Sequence, residues 1–285
     1  MGRIRGNQFQ NGEEQRGRQL GGVSEKEMRI AVVSDIHGNL EALTQCLNDI
    51  ARLKIDRIVN LGDAIGYGPQ PEEVLCLLEK RGIPNILGNH ELAVIDKDSR
   101  SDFSPEAIKS LEQTLNYLTS ASLRYIENLS FYREMEGALM VHGCPPDSST
   151  VYLNHLSLPE IRKTFVSNRF DIAFAGHTHR LMLIQYDGKG LEFNQLHKDT
   201  IQLKPGYRYI INAGAVGQPR DGDPRAKYVI WDNMRNTLEI RRVAYDVAHT
   251  AQKIRERGFV RRDAERLFSG DCPDQYKIYG AAANG

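Results

Sequence analysis

Aspartate, histidine and asparagine recur in this chain at one kind of place, directly after a short apolar run. Val32-Val33-Ser34 leads into Asp35 and His37, and Ile58-Val59-Asn60-Leu61 leads into Gly62-Asp63. Ile86-Leu87 leads into Gly88-Asn89-His90-Glu91, and Leu139-Met140-Val141 into His142. Ala173-Phe174-Ala175 leads into Gly176-His177-Thr178-His179, and Tyr209-Ile210-Ile211 into Asn212-Ala213-Gly214. In an open α/β sheet, ligands bind outside the carboxyl ends of the strands. Six polar loops at six strand ends therefore predict one convergent site, which takes in five of the eight histidines.

The segments between these loops set the fold class. Leu40, Leu43, Leu47, Ile50 and Leu53 recur at helical spacing. Pro71 opens a second helix through Val74, Leu75 and Leu78. Strands are predicted at 28–34, 57–61, 83–87, 138–141 and 172–175, one continuous helix over 105–128, and another over 158–167. From about residue 180 short strands follow one another, at 181–187, 191–196, 207–212, 226–232 and 237–243, before a charged helical stretch over 245–268. Alternation followed by a run of strands predicts an α/β protein with two sheets, the later one more antiparallel. The length of 285 residues and the lack of a Pro/Ser-rich linker predict a single domain over 28–285. Residues 1–27, rich in Gly, Gln, Arg and Glu, are expected to form a disordered tail. A helical insertion at about 96–130 is expected to cap the cleft.

Composition narrows the partners. Lys plus Arg and Asp plus Glu both number 37, so the formal charge is zero. That excludes the strongly basic field of a general nucleic-acid coater and gives no signature of a duplex groove. No apolar run approaches the roughly 18 residues of a membrane span. Residues 1–22 lack the apolar core of a secretory signal. Cys46, Cys76, Cys144 and Cys272 form no Cys-x-x-Cys pair, which fits a reducing compartment. The expectation is a cytoplasmic protein without a membrane partner.

The strand-end loops hold two carboxylates, four imidazoles and one amide in position to ligate. Imidazole with carboxylate suits Mn, Fe, Zn, Co or Ni. Seven ligands are too many for one octahedral ion, but two ions can share one carboxylate. Such a pair, about 3.5–4 Å apart, clamps phosphorus for in-line displacement. Asp35 with His37, and His177 with His179, are two residues apart and are expected to share a face of an extended segment. Cys144 reads as a packing residue, because no separate base is at hand to activate it. From average residue usage, Gly-Asn-His-Glu or Gly-His-Thr-His would each occur by chance in roughly one chain per thousand.

On Asp35-x-His37, Gly62-Asp63, Gly88-Asn89-His90-Glu91, His142 and Gly176-His177-Thr178-His179, the chain resembles the calcineurin-like metallophosphoesterases. The resemblance implies two stacked mixed β-sheets flanked by helices, a four-layer α/β/β/α sandwich with a dinuclear centre at one edge. It implies that Asp35, His37 and His179 bind one divalent ion, that Asn89, His142 and His177 bind the other, and that Asp63 bridges them. Manganese is the expected metal, with iron, zinc, nickel and cobalt as alternatives. The resemblance also implies hydrolysis by metal-activated water or hydroxide, with Asp63 and Asn89 in the catalytic set and His90 as phosphate contact and general acid. Glu91 is expected to support a ligand histidine.

Gly62-Asp-Ala-Ile-Gly-Tyr-Gly68 and Leu87 lack the phosphate-gripping arginines of the Ser/Thr protein phosphatases. The resemblance is therefore to the small bacterial phosphodiesterase branch, although Asn212-Ala-Gly-Ala215 departs from that branch's Asn-Pro-Gly-Ser. Tyr67 and Arg220, with Asn89 and His90, are the expected substrate contacts, Arg220 because guanidinium reads phosphate bidentately. The expected substrate is a small or nucleotide-type phosphodiester. A phosphomonoesterase acting on phosphoprotein or nucleotide, and a non-catalytic scaffold on the same fold, are the alternatives.

Overall fold

The computed structural model describes residues 27–270. The segment expected to be a tail lies outside the described residues apart from residue 27, as do residues 271–285 with Cys272. The described chain runs β1 (Arg29–Val33), α1 (Leu40–Ile50), β2 (Arg57–Asn60), α2 (Pro71–Lys80), α3 (Asn89–Ile95), α4 (Pro105–Leu115) and α5 (Ser120–Glu127). It continues through β3 (Tyr132–Met135), β4 (Ala138–Val141), α6 (Leu158–Ser167), β5 (Ile172–Ala175), β6 (Leu181–Tyr186), β7 (Leu191–Gln195) and β8 (Thr200–Gln202). It closes with β9 (Arg208–Ala213), β10 (Ala226–Asp232), β11 (Thr237–Val243), α7 (Val247–Glu256) and α8 (Arg261–Ser269).

Two mixed sheets form. The first has strand order β2-β1-β10-β11-β8 and the second β3-β4-β5-β9-β6-β7. β1 and β2 are parallel, and β10 lies antiparallel to β1 with Arg29 opposite Asp232. In the second sheet β4, β5 and β9 run parallel, while β3, β6 and β7 pair antiparallel.

Strand residues alternate between two cores, as the two-residue period of a pleat requires. Val32, Met140, Phe174, Ile211, Val229 and Trp231 pack between the sheets. Their neighbours Ala31, Val33, Tyr228 and Ile230 face α1 and α2, with Leu43, Leu47, Val74 and Leu78. Val141, Ala173 and Ile210 face α6 through Ile161 and Phe165. Central strands are covered on both sides, which explains their continuous apolar runs. The result is the expected four-layer sandwich.

The structure departs from the sequence expectation in four places. Residues 83–87 form no strand: Asn85 and Ile86 make single bridges to Asn60 and Ser130, beside a proline that has no N–H to donate. The stretch 105–128 is two helices, because Thr119 caps α5 by accepting from the Ser122 amide at 3.2 Å. The stretch 245–268 likewise splits at Gly258, whose φ is +74°. The short edge strands β3 and β8 carry mostly exposed residues and so offered no apolar run to read.

Candidate active site

The site forms where β1, β2, β4, β5 and β9 end. Asp35, His37, Asp63, Tyr67, His177 and His179 all have φ between +48° and +65°. Among the described residues only Glu136 and Asn236 are further non-glycine examples. The segments are therefore turned, not extended, and the shared-face expectation for Asp35–His37 and His177–His179 is corrected. A left-handed backbone costs a non-glycine residue on the order of 1 kcal/mol, so surrounding structure must hold it. Here the first two loops are zipped together. The amides of Asp35, His37 and Gly38 donate to the carbonyls of Gly62, Asp63 and Ala64 at 3.1, 2.8 and 2.8 Å. Gly176 is forced by closeness: a Cβ there would lie 2.0 Å from Ser34 Oγ and 2.7 Å from Asp35 Oδ2.

The side chains converge in two groups, Asp35–His37–Asp63–His179 and Asp63–His142–His177, with ligating atoms in each within 4.8 Å of one another. Asp63 belongs to both. Its Oδ2 lies 3.6 Å from His37 Nε2 and 3.3 Å from His142 Nε2. Asp35 Oδ1 is 3.2 Å from His179 Nε2, and Asn89 Oδ1 is 3.1 Å from His142 Nε2. All seven residues are buried.

Each imidazole spends one nitrogen on a backbone carbonyl. His37, His142 and His179 engage Ile65, Leu61 and Gln218 through Nδ1 at 2.9, 3.0 and 2.6 Å. His177 engages Thr150 through Nε2 at 3.1 Å. A carbonyl only accepts, so those ring nitrogens are donors, and in a neutral ring the other nitrogen is a bare lone pair. These lone pairs face each other: His37 Nε2 and His179 Nε2 are 3.1 Å apart, and His142 Nε2 and His177 Nδ1 are 3.2 Å apart. Opposed lone pairs beside carboxylates repel unless a cation sits among them.

Burial pushes His37, His177 and His179 well below the usual histidine range, which keeps them neutral and fit to ligate. Burial pushes Asp35 up to about 7, with Asp63 adding to the rise. Against its own burial, Asp63 is held well below the carboxylate range by His142 and His90. Against its burial too, His142 is raised to about 9 by Asp63. A proton between these two occupies the place a cation would take. The donor set, with neutral imidazoles, carboxylates and one amide oxygen, fits two divalent transition ions.

A family model described as calcineurin-like phosphoesterase matches residues 28–181, more than half of the chain. The chain belongs to this family. The uncharacterized protein MJ0912 of Methanocaldococcus jannaschii is 33% identical over 243 residues, covering 85% of this chain and 98% of that protein. A metallophosphoesterase from Sphaerobacter thermophilus is 34% identical with a TM-score of 0.75, covering 86% of this chain and all of that one. The hypothetical protein PH1004 from Pyrococcus horikoshii OT3 shares the fold, with a TM-score of 0.70 at 17% identity over 85% of this chain and 98% of its own.

In this calcineurin-like phosphoesterase, Gly88-Asn-His-Glu91 starts helix α3 instead of forming a loop. Glu91 closes that helix N-terminus by accepting from the Gly88 amide at 3.0 Å. It also accepts from the amides of Asp63 and Ile65 at 2.8 and 3.2 Å. Glu91 therefore supports the Asp63 loop and not, as expected, a ligand histidine. His90 donates its backbone N–H to Asp63 Oδ1 at 3.0 Å. Its ring is buried edge-on against His37, Tyr67 and Phe103, its Nδ1 has no hydrogen-bond partner, and burial lowers it to about 4.

A cavity of about 170 Å³ opens beside the two groups. Tyr67, Asn89, His177 and Arg220 line it; His90 lies behind Tyr67 and Phe103. Arg220 is 5% exposed, hydrogen-bonds Gln218 Oε1 at 3.1 Å and sits 5.9 Å from the Tyr67 ring centroid. Cys144 packs in the outer core of the second sheet, where burial raises its thiol.

Three residues at the site were not read from sequence, and a fourth, Asn212, was read at a strand end without a role. Tyr152 stacks on His177 with centroids 3.6 Å apart, and Phe103 and Arg266 line the cavity. Asn212 donates to the Gly176 carbonyl at 2.5 Å and so fixes the turn before His177. Of these only Asn212 carried a signal, its place at a strand end. Among the described residues no helix is long and apolar enough to cross a membrane.

Proposed function

We propose that this protein is a dinuclear metal-dependent phosphodiesterase acting on a small or nucleotide-type phosphodiester, with manganese as the working metal. The observation that carries the dinuclear part is the pair of ligand groups meeting at Asp63, with imidazole nitrogens 3.1 and 3.2 Å apart across each. Asp35, His37, His179 and Asp63 would hold one ion, and Asp63, Asn89, His142 and His177 the other. When bound, two such ions polarise the phosphoryl oxygens and lower the pKa of water.

The chain's own residues do the rest. Asn89 lines the cavity and steadies charge on an equatorial phosphoryl oxygen as it grows. Arg220 holds a phosphate oxygen of the substrate at the cavity wall. Tyr67 and Phe103 cover the substrate's organic part, and stacking against rings favours a planar group. His90 is assigned to the leaving oxygen from its place in Gly-Asn-His-Glu; its ring is neutral near pH 7 and reaches the substrate only when Tyr67 and Phe103 part in front of it. The cap expected at about 96–130 contributes Phe103 and Ser104 to the wall. An organic wall around the cleft favours an ester with a second substituent, which is the reason for placing the diester first.

Phosphomonoesterase activity is the second reading, favoured by the guanidinium charge of Arg220 beside the metal groups. The test is a panel on manganese-reconstituted protein: 2′,3′-cyclic, 3′,5′-cyclic and linear diesters, bis-p-nitrophenyl phosphate, and p-nitrophenyl phosphate as the monoester. The proposal expects kcat/KM on at least one diester to exceed that on the monoester by about tenfold or more. Monoester preference would replace it with the second reading, and metal-loaded protein inert on the whole panel would leave a scaffold.

A further inference from the structure

The cavity beside the metal-ligand groups has a second guanidinium, from a part of the chain far from every metal-binding motif. Arg266 lies in α8 and lines the same cavity as Arg220. Both charges act on Asp263 and on the Tyr67 hydroxyl, so the two side chains approach one region. Their supports are tied together. The Arg220 loop meets the end of α8, where the Gly222 amide donates to the Gly270 carbonyl at 3.0 Å and the Gly270 amide to the Arg266 carbonyl at 3.1 Å. Gly270 caps the helix at φ +61°, and a Cβ there would lie 2.8 Å from the Asp223 nitrogen. One turn earlier, Asp263 accepts a hydrogen bond from Ser110 of α4, which locks α8 against the helices over the cleft.

Among the described residues Arg266 makes no ion pair at contact distance, although the buried Asp263 carboxylate lies within electrostatic reach of it and of Arg220. None of the salt bridges among the described residues includes it, and its buried Nε has no hydrogen-bond partner. The cavity lining has one carboxylate, Asp102, and it is exposed. A partly buried guanidinium with an unsatisfied donor, beside a second guanidinium, is costly unless an anion joins them. Phosphate is the anion whose geometry a pair of guanidinium forks matches.

We infer that Arg266 and Arg220 form a second anion subsite, and that the substrate carries a further phosphate group besides the one cleaved. The inference rests on the phosphoesterase reading and deepens it: the substrate class is a small phosphoester of nucleotide type with two phosphates held apart by an organic spacer. Arg266 is a specificity residue for the phosphate that is not cleaved, and the C-terminal helix is part of the substrate site.

Calorimetric binding tests this without relying on turnover. Adenosine 3′,5′-bisphosphate and adenosine 5′-monophosphate are titrated into manganese-loaded protein, wild type and Arg266→Met. In the wild type the bisphosphate should bind about tenfold or more tightly than the monophosphate. In Arg266→Met that ratio should collapse toward one, and Arg266→Lys should recover part of it. Equal affinities for the two probes in wild type overturn the inference, whatever the variants do. A wild-type preference that survives in Arg266→Met overturns the role of Arg266. Failure of the catalytic reading appears separately, as tight bisphosphate binding with no hydrolysis of any ester in the panel.

Discussion

The floor and the walls of the cleft are built by different rules. On the floor, six of the seven buried candidate ligands sit at strand ends and Asn89 starts α3, most of them are in left-handed turns, and each imidazole is fixed to a carbonyl. On the walls, Phe103, Tyr152, Arg220 and Arg266 come from a 3₁₀-flanking segment, a loop, another loop and the C-terminal helix. Floor positions are each fixed by backbone and by neighbours at hydrogen-bond distance. Wall positions depend on how loops and one helix dock, through contacts that are more interchangeable. Reaction type is thus written in the floor, and substrate choice in the walls.

The sharpest way to break this contrast is Asp63→Asn. The amide keeps the size of the side chain but removes the shared charge. Hydrolysis of bis-p-nitrophenyl phosphate should fall about a thousandfold or more, and bound metal, measured by elemental analysis, should drop below two ions per chain. Full activity with two ions would refute the shared-carboxylate floor.

Gly68→Ala probes the floor through packing alone. A Cβ at Gly68 would lie 1.9 Å from the His37 carbonyl oxygen, which is backbone and cannot swing aside. The expected loss is about 3 kcal/mol of stability, read as a lower urea midpoint, together with weaker metal retention because His37 must shift. A variant as stable as wild type would show that the loop yields more easily than the geometry states.

The smallest effect belongs to the walls. Burial raises the Asp263 carboxyl from 3.8 to about 6, while the Ser110 hydroxyl and the charges of Arg266, Arg220 and Arg262 pull the other way. Between those values the folded protein keeps a proton that the unfolded chain has released. Stability therefore falls as pH rises from about 4 to about 6 and stays lower above. Asp263→Asn should remove this slope, a difference of at most about 3 kcal/mol between pH 4 and pH 7.5 by denaturant titration. Identical slopes in the two proteins would show that the α4–α8 contact does not titrate.

The same division explains what could be read from the chain itself. Apolar runs covered on both faces, such as Val32-Val33 and Ala173-Phe174-Ala175, announce central strands because burial leaves them no polar residue. Six of the candidate ligands were readable because each closely follows such a run, and Asn89 because it stands in Gly88-Asn-His-Glu91. What escaped has a physical reason in each case. β3 and β8 sit at edges with exposed side chains, so no apolar period marks them. Residues 105–128 hold a helical pattern throughout, and only the cap made by Thr119 divides it. Glu91 reads as a neighbour of ligands, yet its three amide partners appear only when the loop of Asp63 folds over it. Arg266 lies some forty residues beyond Arg220 in a charged helix that resembles any surface helix, and only docking against α4 brings it to the cavity.

The carbonyl held by each histidine belongs to a segment of the chain other than the histidine's own, and those of His37 and His142 share the loop after β2. His37 is tied to Ile65, His142 to Leu61, His177 to Thr150 and His179 to Gln218. Beneath them β1 pairs with β10, with Arg29 opposite Asp232. These are long loops to close, and closing them is the slow part of folding for chains with distant contacts. A half-folded chain therefore cannot offer either ligand group in working order. On the proposed dinuclear reading, metal uptake during refolding should lag behind collapse and coincide with the last step.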